Sequence, residues 1–157
     1  MLFSDNNDLI NSLNTGQILS GLDFGDKTIG VAISDRNLII GSPLKTISRK
    51  GGSKDIMSLK TIFSTYNVGG VILGLPLSLD GNENERTIKT REFGEKLHNH
   101  LSIGIYYQDE RYSTDIVFKQ MNNNISKKKI GKYIDKSAAA YILQGFLDKY
   151  NYKNSLL

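Results

Sequence analysis

Residues Ile18 to Asp35 read ILSGLDFGDKTIGVAISD, two apolar runs joined by a short glycine-containing turn. Ile18, Leu19 and Leu22 lead into Asp23 and Phe24, and Ile29, Val31, Ala32 and Ile33 make the return run. Gly25 and Asp26 between them are residue types that hairpin turns select. The stretch predicts a buried strand, a tight turn and a second strand. A carboxylate at the end of an apolar strand is costly unless something pairs with it. No Arg or His is adjacent, and Lys27 lies beyond the turn. Asp23 is therefore the first candidate functional residue, and a metal ion would suit it as a partner.

Working outward, residues 1–16 are polar, with one short helix expected around Leu9 to Leu13, and read as a leader to the domain. Leu38 to Ile47 contains Pro43, which limits it to a short third or edge strand. After Gly51 and Gly52, Ser53 is an N-cap candidate for a helix carrying Ile56, Leu59, Phe63 and Tyr66 on one face. Val71, Ile72 and Leu73 form an all-apolar run of the kind that parallel strands buried on both faces require. Pro76 ends that strand, because proline lacks the ladder donor. A polar loop, Ser78 to Asn84, then precedes a charged helix from about Glu85 to Leu101.

Ile103 to Tyr107 is the next strand, running into Gln108, Asp109, Glu110 and Arg111, and Ser113 or Thr114 can cap a helix after it. Asn122 to Lys132 reads as a basic loop, with Lys127, Lys128, Lys129 and Lys132. The last helix is expected to begin near Asp135, with small Ala138 and Ala139 before larger Ile142, Leu143, Phe146 and Leu147. Strands followed by alternating helices and strands predict an α/β domain with a mixed sheet. It is expected over residues 17–150, with a tail at 151–157.

At 157 residues and 39% hydrophobic content, the chain can bury one ordinary core. It has no cysteine, which excludes disulfides, thiolate nucleophiles and zinc–thiolate sites. Asp5 and Asp8 stand where a secretory signal would need positive charge, and no stretch approaches a membrane span. A cytoplasmic protein with no membrane partner is the expectation. Twenty Lys and Arg against 16 Asp and Glu give a net charge of +4 and a pI near 9.2. That balance favours a polyanionic partner only mildly.

Ligands of open α/β sheets gather outside the carboxyl ends of the strands. Asp23 is at one such end and Asp109 and Glu110 at another, while Asp135 opens a helix able to pack across the same edge. Converging carboxylates repel one another without a cation, and oxygen-only ligands suit Mg²⁺ or Mn²⁺.

Four segments in this order, LDFGDKTIGVAISD, GLPLSLDG, QDERYST and DKSAAAYILQGFL, spread over residues 18 to 147, resemble the YqgF or RuvX family of nucleases. The resemblance implies a ribonuclease H-like fold with a mixed five-stranded sheet flanked by helices. It also implies a divalent-metal site and maturation of the 5′ end of precursor 16S rRNA, or cleavage of four-way DNA junctions. Position by position, it places the family's catalytic acids on Asp23, Glu110 and Asp135. Thr28 departs from the family, which usually has a basic residue there.

The chemistry expected from this resemblance is metal-assisted phosphodiester hydrolysis, with Asp23 a shared ligand and Glu110 and Asp135 completing its two sides. Lys127, Lys128, Lys129 and Lys132 are expected on the nucleic-acid backbone, with Arg91 and Arg111 as further phosphate contacts. Other readings stand beside these. Asp135 is also a good helix cap, Asp109 is either a fourth ligand or a turn residue, and a lysine run is commonly solvated charge. Two other function classes share the topology. An actin-like ATPase needs a second lobe that 157 residues do not contain, and a non-catalytic RNA-binding module would dispense with the three acids.

Overall fold

The structure is a computed structural model that describes residues 2–3, 5–110 and 127–155, with side chains from 138 to 154 in the last helix. Among the described residues six strands form one mixed sheet: β1 (Leu2–Phe3), β2 (Ile18–Phe24), β3 (Thr28–Ser34), β4 (Gly41–Ser48), β5 (Val68–Leu75) and β6 (Gly104–Asp109), in the spatial order β1-β6-β5-β2-β3-β4. β2, β3 and β4 are an antiparallel meander, whereas β5 runs parallel to β2, β6 to β5 and β1 to β6. The expected five-stranded sheet is thus corrected to six. The added strand comes from the polar segment 1–16, where a pair of apolar residues suffices to pair Leu2 with Ile105 and Phe3 with Tyr106. Leu9, in α1 (Asn6–Asn11), is wholly buried, so this segment packs on the domain.

Strand alternation divides the core into two layers. On one face, Leu22, Ile29, Val31, Val71, Leu73 and Ile105 pack against α2 (Gly52–Tyr66) and α3 (Glu85–Leu101), which contribute Ile56, Leu59, Phe63, Phe93 and Leu97. On the other, Leu19, Ala32 and Ile72 meet Ala139, Ala140, Ile142, Leu143, Phe146 and Leu147 of the long helix α4 (Lys127–Ser155). Phe146 is fully buried, which by area is worth about 2–3 kcal/mol. β5 is buried at every position but Gly69, as a strand covered on both faces must be.

Helix ends are set locally. α3 opens with a capping box in which the Asn84 side chain accepts from the Thr87 N–H at 3.1 Å and Thr87 Oγ1 accepts from the Asn84 N–H at 3.1 Å. α2 has no side-chain cap at Gly51, and Ser53 lies inside the helix. The buried carboxylate of Asp55 instead accepts from the Lys50 and Gly51 N–H groups, at 2.8 and 3.1 Å, and pairs with Arg49. α4 is already helical at Lys127, earlier than the expected start near Asp135, so the predicted basic loop is helical from Lys127 on. Lysine is a good helix former, and one glycine, Gly131, is tolerated inside a long helix. The same helix runs on through most of the expected tail to Ser155, tied to the loop before β4 by Asn151 Nδ2, which donates to the Leu38 carbonyl at 2.9 Å.

α4 lies close on the sheet because glycine stands beneath it. A Cβ on Gly21 would come within 2.6 Å of the Ala139 carbonyl oxygen and 2.7 Å of Leu143 Cβ. Backbone cannot yield as a flexible side chain can, so the close approach depends on a bare position there.

Candidate active site

Asp23 stands on the α4 side of the sheet, because it alternates with Leu19 and Gly21 on β2 and with Leu22 on the opposite side. It is directly opposite Gly30 of β3. A Cβ at Gly30 would lie 3.6 Å from Asp23 Cβ and 3.5 Å from Ala139 Cβ, so Asp23 and the first described side chains of α4 border the same bare position.

Glu110 reaches the same place from β6. Its N–H donates to the Leu75 carbonyl at 3.3 Å, which carries strand geometry one residue past Asp109. Gln108 pairs with Gly74, and Glu110, two residues on, shares its face. A Cβ at Gly74 would come within 2.5 Å of Glu110 Oε2 and 2.5 Å of Ile142 Cδ1. The Glu110 side chain therefore lies across the bare backbone of β5, between its own strand and β2. Glycines at 30 and 74 leave a hollow bounded by Asp23, Glu110 and α4.

Electrostatics follow from this burial. Loss of water pushes the Glu110 carboxyl up to about 7, helped by the negative charge of Asp23 and more weakly by that of Asp109, while Arg86 opposes the rise. Burial also raises the pKa of Asp23, again opposed by Arg86. Two partly buried carboxylates with raised pKa values, that of Glu110 pushed up by burial and by the charge of Asp23, fit a hard divalent cation. Among the described residues no set of three His, Cys, Asp or Glu side chains converges. Asp135 lies in α4 one turn before Ala139, and residues four apart share a helix face; its side chain is outside the described residues.

Asp109 takes the other side of the sheet. It pairs with Leu75 and shares the α3 side with Tyr107, whose hydroxyl donates to the Arg91 carbonyl at 3.3 Å. Arg91 is on that side too, ion-paired with Glu83 and with its guanidinium carbon 5.1 Å from the Tyr107 ring centre. Arg111 lies outside the described residues. So do the side chains of Lys127, Lys128, Lys129 and Lys132, whose backbone is helical.

Sequence reasoning did not pick out Arg86. It occupies the first turn of α3, placed by the Asn84–Thr87 capping box, and its charge acts on both Asp23 and Glu110. The available signal was an arginine just inside a helix that follows a strand-end loop, since such helices begin at the ligand-binding edge of the sheet.

Comparison with known proteins identifies the family and the fold. Residues 17–149 match the family described as RuvX: Holliday junction resolvase. A protein of Ruegeria pomeroyi named "Putative pre-16S rRNA nuclease" is 43% identical over 83% of this chain and 86% of its own length. A relative of the same name from Bartonella quintana is 40% identical over 91% of each chain. Among solved structures, Thermus thermophilus RuvC in complex with a Holliday junction substrate superposes with a TM-score of 0.54 at 10% identity, covering 86% of this chain and 96% of that one. The yeast mitochondrial Holliday junction resolvase Ydc2 gives 0.51 at 12% identity, over 97% and 90%. At such identities the structures speak for the fold alone, which is ribonuclease H-like. The sequence match extends from the start of β2 almost to the end of α4 and takes in every strand that borders the hollow, so this chain belongs to the RuvX family.

Proposed function

We propose that this chain is a cytoplasmic, divalent-cation-dependent nuclease that hydrolyses phosphodiester bonds in processing the 5′ end of precursor 16S rRNA. The observation that carries the reading is the hollow over Gly30 and Gly74, in which Asp23 and Glu110 are held together with raised pKa values. The curated relatives' name supplies the substrate.

In this reading Asp23, Glu110 and Asp135 hold Mg²⁺ or Mn²⁺, and Asp109, on the opposite face, is not a ligand. The cation supplies charge neutralisation and Lewis acidity at the phosphate. The chain's own residues do the rest. Asp23 and Glu110, fixed at the ends of two strands that flank β5, set the position of the phosphodiester, because carboxylates and phosphate repel unless correctly spaced around positive charge. Arg86 adds a fixed positive charge at the rim, where it attracts the phosphate and keeps both carboxylates ionisable. Ile142 and the bare strand backbone form a floor with little room for bulk water.

The deciding assay offers a precursor-rRNA 5′ leader and a four-way DNA junction to the full chain with Mg²⁺ or Mn²⁺. The leader is expected to be cut and the junction to be cut more slowly. Preference for the junction would replace the rRNA reading with that of a DNA resolvase, which the family's description favours. Binding without cleavage of either would leave a non-catalytic RNA-binding module.

The lysine segment at the start of α4 is proposed to hold the nucleic-acid backbone. Changing Lys127, Lys128, Lys129 and Lys132 to Ala is expected to flatten the dependence of log affinity on log salt by about one unit of slope per lost phosphate contact. A slope equal to that of the wild type would reduce the segment to solvated charge.

A further inference from the structure

Leu79 is the most exposed large apolar side chain among the described residues, at 86%. A lone surface leucine ordinarily needs no explanation. This one differs because the loop that carries it is fixed and because of where the loop stands. The Ser78 N–H donates to the Asn82 carbonyl at 2.9 Å and the Gly81 N–H to the Ser78 carbonyl at 2.8 Å. The Asp80 carboxylate accepts from both the backbone N–H and the side-chain amide of Asn82, each at 2.9 Å, and Asn84 Nδ2 donates to Ser78 Oγ at 3.1 Å. Thr87 Oγ1 donates to the Pro76 carbonyl, tying the loop's start to α3. Leu79 is thus held at the tip of a turn braced by hydrogen bonds of its neighbours Ser78, Asp80, Gly81 and Asn82.

The loop spans the rim of the hollow. It leaves β5 at Leu75, whose carbonyl accepts from the Glu110 N–H, and enters the helix whose first turn carries Arg86. Lys89 is one turn further, in a surface pair with Glu85 at 3.6 Å that a phosphate could readily displace. An apolar tip on a loop whose one end meets Glu110 and whose other end enters the helix turn bearing Arg86 suits a polyanion with apolar faces between its charges, which describes stacked nucleobases. A single side chain offers too little area to hold a protein partner.

We propose that Leu79 is a wedge that enters between adjacent bases of the nucleic acid whose phosphodiester lies over Asp23 and Glu110, unstacking one step and positioning the strand. The proposal rests on the nuclease reading. Inserted apolar side chains unstack and kink nucleic acid in this way, and a tip already rigid loses little freedom on insertion. Leu79 is accordingly a positioning residue.

The test uses the full chain carrying Asp23→Asn, so that bound nucleic acid stays intact. The probes are a precursor-rRNA leader and a four-way DNA junction, with 2-aminopurine placed in turn at the steps flanking the cleavage position mapped with wild type. Binding is followed by anisotropy of a distant label. Unstacking at one step should raise 2-aminopurine fluorescence about twofold or more, Leu79→Ala should lose the rise, and Leu79→Phe should restore it. With Asp23 intact, Leu79→Ala should lower kcat/KM about tenfold at unchanged melting temperature, a loss that a purely structural role for an exposed residue would not give. Binding without a fluorescence change, or an equal rise with Leu79→Ala, would overturn the wedge and leave the nuclease reading standing. If wild type neither binds nor cuts either probe, both fall.

Discussion

Asp23→Asn is expected to abolish cation-dependent cleavage, by at least about a hundredfold, which is the cost of removing one preorganised charged group from the reacting centre. The fold should survive. Asn is nearly isosteric with Asp, and burial already raises the pKa of Asp23, so the folded state does not gain from the ionised form. In EDTA at neutral pH the variant should melt no lower than wild type, and higher if the repulsion between residues 23 and 110 dominates. Adding Mg²⁺ or Mn²⁺ should raise the melting temperature of wild type by a few degrees and leave the variant unmoved, since a ligand specific to the native state stabilises it by mass action. The two readouts are independent. Cleavage by the variant at the wild-type rate would remove Asp23 from the chemistry, whereas loss of cleavage with an intact cation-induced shift would make it a catalytic group that is not a ligand.

Much of the path to this site was written in local pattern. The hairpin around Gly25, the apolar run of β5 and the stripe Ile56, Leu59, Phe63 carry periods that specify strand and helix before any tertiary contact exists. Alternation requires only that Asp109 and Glu110 point to opposite sides if the strand persists, and the family resemblance gives the Asp23 side to Glu110; the pairing of Gln108 with Gly74 then puts Glu110 on that face in the structure. What escaped depends on partners far away in sequence. Leu2 and Phe3 are too few to show a period, and become a strand only because β6 offers a free edge. Arg86 is one of several charged residues in a charged helix until the capping box and the loop before it set its direction. Gly30 and Gly74 look like ordinary strand glycines, and only the tertiary structure shows that any side chain there would fill the hollow. The basic run from Lys127 shows the opposite: like charges side by side suggest a loop, yet lysine is a good helix former and the run is helical.

Glu110→Gln should lose nearly all cation-dependent cleavage, while Asp109→Asn keeps a measurable fraction, because only Glu110 shares the hollow with Asp23. The pair also has a signature in stability that requires no substrate. Without a bound cation, Glu110 titrates at about 7 in the folded protein against an ordinary value of 4.5. Between those two values the unfolded chain has released its proton and the folded one has not, so the unfolded state binds fewer protons. Stability contributed by this group is therefore complete below the ordinary value and is lost as the pH rises toward the folded one. The full loss is on the order of 3 kcal/mol, from about 1.4 kcal/mol per pKa unit. In EDTA, Glu110→Gln should flatten that part of the stability profile, and Asp109→Asn should preserve most of it, because Asp109 contributes less to the shift than burial and Asp23 do. Arg86→Ala should move the Glu110 titration further up, since its charge opposes the rise. A stability profile of Glu110→Gln with the wild-type slope, measured by chemical denaturation across this range, would place the titrating group elsewhere and separate Glu110 from Asp23.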